Sequence, residues 1–253
     1  MSDKTKNKID KKVVENDFSQ KKINHIVHYL DNFEVLLKIL KDGFAPSYCL
    51  ENVSESDYYV PMVSFCNIPL KDVDQYMRYG KYGLGMSLDW ALKNRISPVV
   101  YIHENTPFKD FSKKLFSGGL YKNDINNFDV ILDAITPAIQ FFKNWKTTYK
   151  GKEIITYQER EWRYIPDLKD NKVLYPDEFN DMKESHFKKK PHLPEYSINF
   201  DINDIRYIVI SNENQRNRII NLLIKKYDEN SVIDSILSGK LIIINDELIR
   251  NDF

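Results

Sequence analysis

The order of apolar residues predicts a mixed α+β fold, and three observations carry the prediction. Short strand-like runs alternate with short helical ones through the first half of the chain. Residues 124 to 142 keep the spacing of a long amphipathic helix, and the C-terminal part returns as strand, helix, helix and strand. No internal repeat interrupts this order.

Residues 23 to 29 read as a first strand. Asn32 caps the helix that follows, whose Phe33, Leu36, Leu37 and Leu40 recur at i, i+3, i+4 and i+7, and Gly43 closes it as a left-handed residue. Residues 60 to 66 form a strand with Pro61 at its start, where a missing donor is tolerated. A helix is expected from about Leu70 to Arg78. A strand over residues 82 to 87 comes next, its Gly83 and Gly85 pointing to close approach of a backbone or ligand. A short helix at 89 to 94 and a strand at 99 to 103 complete the first half.

In the second half, Phe128, Ile131, Leu132, Ile135, Ile139 and Phe142 mark one face of the long helix, which Pro137 should kink. A strand at 161 to 165 precedes a long loop excursion at about 166 to 197, where periodicity is lost. Residues 205 to 210 read as strand, 212 to 227 and 231 to 237 as helices, the second stopped by Gly239, and 241 to 244 as a buried strand. Residues 1 to 22 hold seven lysines among few large apolar side chains and read as a flexible basic arm ahead of a single α+β domain over 23 to 253.

Composition excludes several function classes. The chain has 253 residues with 37 basic and 37 acidic side chains, so nucleic-acid coating, which favours a basic excess, is not favoured. With 8 glycines and neither a P-loop nor a GxGxxG spacing, familiar nucleoside-triphosphate enzymes are out. Cys49 and Cys66 have no CxxC partner, which argues against a structural zinc and for a reducing compartment. No apolar run reaches the roughly 20 residues of a membrane span and no secretory signal is visible, so the expected location is the cytoplasm, with no membrane partner.

The richest polar segment runs from Tyr157 to Asp167. On a strand, Glu159, Glu161 and Arg163 share one face, and Arg160, Trp162 and Tyr164 the other. Two adjacent carboxylates beside a guanidinium can make a proton acceptor or an anchor for ribose hydroxyls; the same pattern also describes a solvated face with a cross-strand salt bridge. His28 on the first strand and Ser64 on the second each read either as site residues or as satisfied core groups. His186 and His192 lack further ligands, so no metal is expected. Lys188-Lys189-Lys190 reads as a solvated run. No GxSxG elbow is present, and Glu159-Arg160-Glu161 lacks the lysine of a metal-dependent nuclease.

Four segments together resemble the AbiGi-type abortive-infection family: His28-Tyr29-Leu30 leading to Leu36 through Phe44, Pro61 through Leu70, Tyr79 through Ser87, and Glu159 through Tyr164. The resemblance spans about residues 23 to 210. It implies phage resistance, with this component as the antitoxin of a nucleotidyltransferase-like toxin. A more distant likeness, in the order strand His, strand Ser, strand Glu-x-Glu, is similar to ADP-ribosyltransferases and implies a split central sheet with packed helices and NAD as cofactor. It would make His28 a holder of the adenosine-side ribose, Ser64 a brace and Glu161 the stabiliser of an oxocarbenium-like ribose. Glu159 would activate an acceptor on a phage or host protein, while Tyr29, Phe65, Tyr82 and Arg163 would line the cofactor. Two functions follow: an NAD-dependent effector, or a non-enzymatic antitoxin that binds a partner toxin.

Overall fold

In the computed structural model of the protein the described residues are 23–70, 72, 80–117, 128–149, 151–169, 173–186 and 192–252. The basic arm, most of the helix expected at 70 to 78 and the Lys188-Lys189-Lys190 run lie outside them.

The chain opens with β1 (His25–Leu30), α1 (Phe33–Asp42), β2 (Ser47–Val53), β3 (Ser56–Cys66), β4 (Tyr82–Ser87) and α2 (Leu88–Lys93). It continues through β5 (Ser97–Pro98), β6 (Val100–Ile102), α3 (Pro107–Phe116), α4 (Phe128–Ile139), β7 (Phe142–Asn144), β8 (Lys146–Tyr149), β9 (Lys152–Ile155) and β10 (Glu161–Tyr164). It closes with α5 (Pro176–His186), β11 (Ile205–Ile210), α6 (Asn214–Lys226), α7 (Glu229–Leu237), β12 (Ile242–Asn245) and α8 (Asp246–Asp252). No described helix is long and apolar enough to cross a membrane.

This is the α+β class that the sequence predicts. The main sheet runs β12-β11-β4-β1-β3-β10-β5, with β2 paired along the outer length of β3, and only the β11–β12 pair is parallel. β1 and β3 share a single register pair, Val27 with Cys66, and then part, so the sheet is split at its centre.

Alternation along the strands decides which face each side chain serves. Ile26, Leu30, Val63, Phe65, Leu84, Met86, Ile208 and Ile210 turn to one face and pack with Phe33, Leu36, Leu40, Trp90, Ile219, Leu223 and Val232 of the helices. α1 forms because its apolar residues recur on one side and Asn32 accepts the Glu34 N–H at 2.8 Å. It ends at Gly43, whose φ of 84° and ψ of −178° lie in an extended, glycine-only region rather than the left-handed helical one expected. A Cβ there would stand 2.6 Å from the Ile198 carbonyl oxygen, which bonds to Phe44 N. The opposite face carries Val27, Tyr29, Ile68 and Val209 against Ile249 of α8, and beside it a second cluster of Val53, Tyr58, Val60, Met62, Ile102, Leu115, Ile139 and Phe142.

Four expectations are corrected. Pro61 does not start its strand: β3 begins five residues earlier at Ser56, as the second arm of a hairpin with β2 in which Pro61 faces Tyr48. The turn is Ser54-Glu55 with φ of 54° and 69°, a two-residue hairpin turn built without glycine. The long helix ends at Ile139, because Phe142 belongs to β7, paired in parallel with β6. The loop excursion at 166 to 197 contains α5, whose Phe179 stacks on Tyr59 at 3.6 Å. Finally, the strand at Glu161 does not reach back to Glu159, which sits in a short 3₁₀ turn; Arg160, at φ 44°, makes the corner between them.

Candidate functional site

β10 lies between β3 and β5 and sets Arg163 directly across from Ser64, with Glu161 across from Cys66. Glu161 and Arg163 are both buried on the face opposite the main core. Burying a charge there is tolerable only with full pairing. Glu161 Oε1 accepts from Arg163 Nε at 2.7 Å and from Ser64 Oγ at 3.0 Å, and Oε2 accepts from Lys143 Nζ. Arg163 is fully buried and spends its other donors on Glu51 Oε1 at 2.6 Å, the Gln140 carbonyl at 2.7 Å and the Phe142 carbonyl at 3.5 Å. Lys143 also lies 3.7 Å from Glu159 Oε2. The result is a buried network of three carboxylates and two cations.

The charges set one another's protonation. Burial alone would push the Glu161 carboxyl up, but Arg163 and Lys143 outweigh it and hold its pKa at about 2. Burial likewise works against the charged forms of Lys143 and Arg163, yet their carboxylate partners leave both pKa values raised. Glu51 differs, since burial raises its pKa and the cations offset this only in part, helped by repulsion from Glu161 and Glu159. Glu51, not Glu161, is therefore the carboxylate inclined to carry a proton.

A cavity of about 230 Å³ opens beside this network, lined by His28, Tyr29, Cys49, Glu51, Met62, Ser64, Lys143, Glu159 and Glu161. Of the residues that the sequence singles out, His28, Tyr29, Ser64, Glu159 and Glu161 border it, and Arg163 stands behind Glu161. His28 reaches it from the other side of the sheet split. Its ring packs on Phe44 and Phe65 of the main core, while Nδ1 bonds the Ser64 carbonyl oxygen at 2.7 Å. Burial lowers its pKa and so favours the neutral ring. Tyr29 Oη is buried and has no hydrogen-bond partner among the described residues.

Two expected cofactor residues are elsewhere. Phe65, one position from Ser64, points by alternation into the main core against Phe44 and Trp90. Tyr82 pairs with Leu30 at the far end of β1, its ring lies by Phe33, and its hydroxyl accepts from Ser211 Oγ at 2.8 Å and Gln215 Nε2 at 3.0 Å. Sequence reasoning missed Glu51 and Lys143 because each sits on a strand, β2 or β7, that it did not recognise. The signal for β2 was the run Tyr58-Tyr59-Val60 just beyond Ser54-Glu55, which invites a hairpin partner. Among the described residues no cluster of His, Cys, Asp and Glu could hold a metal ion. Chemically the arrangement is a locked ionic brace with a small polar cavity on its open side.

A family model described as "Putative abortive phage resistance protein AbiGi, antitoxin" matches residues 43–211. The chain is also 26% identical to "Abortive phage resistance protein AbiGi" of Lactococcus lactis subsp. cremoris, over 79% of this chain and 86% of that one. No solved structure matches, so the ADP-ribosyltransferase-like expectation for the fold has no structural neighbour behind it.

Proposed function

From the premise that this chain belongs to the AbiGi family of abortive phage resistance proteins, and so is a component of phage defence, we propose that it acts as the antitoxin, holding a partner toxin inactive by binding it rather than by catalysis. The observation that supports a non-catalytic role is the occupancy of Glu161. Ser64, Arg163 and Lys143 already claim its oxygens, so the carboxylate on which turnover would depend serves as the keystone of an ion network. The test is growth of cells expressing the partner toxin, with and without this chain. Rescue by the wild type and by Glu159→Gln, with the two proteins copurifying, supports the reading. Rescue that needs the Glu159 carboxylate while binding is unchanged would overturn it.

A second reading, an NAD-dependent ADP-ribosyltransferase, is favoured by one observation: Ser64, Glu159 and Glu161 meet at a single cavity that Tyr29 also lines. The cavity is below the roughly 300 Å³ at which drug-sized ligand pockets begin, so these residues fit a ribose and not a whole dinucleotide. NAD would supply an activated ribose carbon; Ser64, Glu159 and Tyr29 would hold its hydroxyls. Nicotinamide release from NAD by the purified protein, lost in Glu159→Gln, would support this reading, and silence with and without phage-infected lysate would end it. Glu161→Ala is a poor control, because removing it strands two buried cations.

A further inference from the structure

We infer that the groove between α1 and α6 is the docking site for an acidic, leucine-bearing segment of the partner toxin, an inference that rests on the antitoxin reading. α6 carries Arg216, Arg218, Lys225 and Lys226 and no carboxylate. Arg216 is spent locally on Glu213 and the Ile243 carbonyl. The other three, with Lys41 from the last turn of α1, surround a groove of about 590 Å³ whose apolar residues are Leu37 and Leu222.

The fold offsets this charge only in part, since Asp42 and Asp201 act on Lys226 and Glu34 pairs with Arg218. Arg218 reaches Glu34 at 2.9 Å across an exposed pair that solvent screens, and Lys226 Nζ donates a hydrogen bond to the Leu40 carbonyl at 2.8 Å, with its ammonium over the Phe200 ring. Lys41 and Lys225 are exposed and make no ion pair among the described residues. The chain as a whole is neutral, so four cations around one groove are a local concentration rather than a general excess. Leu37 and Leu222 are only partly buried against the core, as a floor awaiting a cover would be.

A floor of leucines inside a ring of cations fits a helix or strand that carries Leu or Ile on one side and Asp or Glu beside them. A phosphate backbone would use the cations and leave the leucines bare, so protein is the better occupant than nucleic acid.

The test uses the full chain, the purified partner toxin and the double variant Lys41→Glu/Lys225→Glu. Both positions are exposed and make no ion pair among the described residues, but each lies in the last turn of a helix, so the variant should unfold somewhat earlier than the wild type and is compared with it where both are folded. Binding measured by titration calorimetry should weaken at least tenfold, with a flatter salt dependence, and Leu222→Ser should weaken it separately. Wild-type affinity in the charge-reversed variant overturns the groove inference and leaves the antitoxin reading standing. No binding by the wild type removes both. Binding of a DNA duplex that the variant loses, with toxin binding intact, makes the groove a nucleic-acid surface and also overturns the inference.

Discussion

Replacing Arg163 by Met tests whether the ion network is structural. Its guanidinium is fully buried and makes three hydrogen bonds of 2.6 to 2.7 Å, two of them to carboxylates. Charged hydrogen bonds contribute about 1.5–3 kcal/mol each, but burying the guanidinium cancels much of that sum; removing one member of a buried ion network costs about 3–5 kcal/mol. For a chain of this length that is a fall in Tm of roughly 6 to 20 °C. The loss should also depend on pH in a particular way. Without Arg163, Glu161 keeps Lys143 and Ser64, whereas Glu51 loses the guanidinium on its Oε1 and its already raised pKa climbs further. A carboxyl whose folded pKa is raised gives stability that is full below the unfolded value of 4.5 and is lost as pH rises through the folded one. Arg163→Met should therefore be milder at pH 5 than at pH 8, and adding Glu51→Gln should remove that difference. Urea unfolding of the two variants and the double variant at both pH values is the assay. A loss below about 1 kcal/mol at pH 8, or effects of the two substitutions that simply add, would refute the reasoning.

Four further outcomes are expected. Gly43→Ala should cost at least about 1–3 kcal/mol in chemical denaturation, since its φ of 84° and ψ of −178° suit glycine alone and the Ile198 carbonyl blocks a Cβ. Glu161, with a folded pKa of about 2 against 4.5, contributes roughly 3 kcal/mol that is present above pH 4.5 and lost as pH falls toward 2, a slope that Glu161→Gln should flatten; His28, lowered below 6.5, should add a separate loss as pH falls below 6.5, absent in His28→Asn. Tyr29→Phe removes a buried hydroxyl that has no partner among the described residues and should leave thermal stability within about 1 kcal/mol of the wild type or raise it, whereas a larger loss would reveal a bond to that oxygen.

What the sequence made legible follows the physics of each signal. α1, β4, β10, β11 and α6 were readable because their apolar periods, caps and lengths act locally. The β2–β3 hairpin was not, because Ser54 and Glu55 hold a turn that usually needs Asn-Gly. Their positive φ is supported from afar, by the Ser54–Ser112 hydroxyl pair and the Glu55–Lys113 ion pair at 2.8 Å. With β2 hidden, so was Glu51. Lys143 was lost for a related reason, since Phe142 continues the helical spacing of α4 and only its pairing with Val100 ends the helix. Glu161 and Arg163 were placed on one face correctly by alternation, while their partners came from strands about 20 and 110 residues away, a distance that no local pattern encodes.

The order in which the sheet is assembled bears on how the protein is made. β1, β3 and β4 are synthesised first and can pair with one another, but the strands that flank them, β10 and β11, leave the ribosome roughly 75 to 120 residues after β4. Until then β3 and β4 each present an open edge, and the Glu51 carboxylate of β2 has no guanidinium to meet. A chain that stops early thus has neither its ionic brace nor its α6 surface. Working copies of the protein therefore wait for nearly complete translation, and any event that halts protein synthesis cuts off their supply at once.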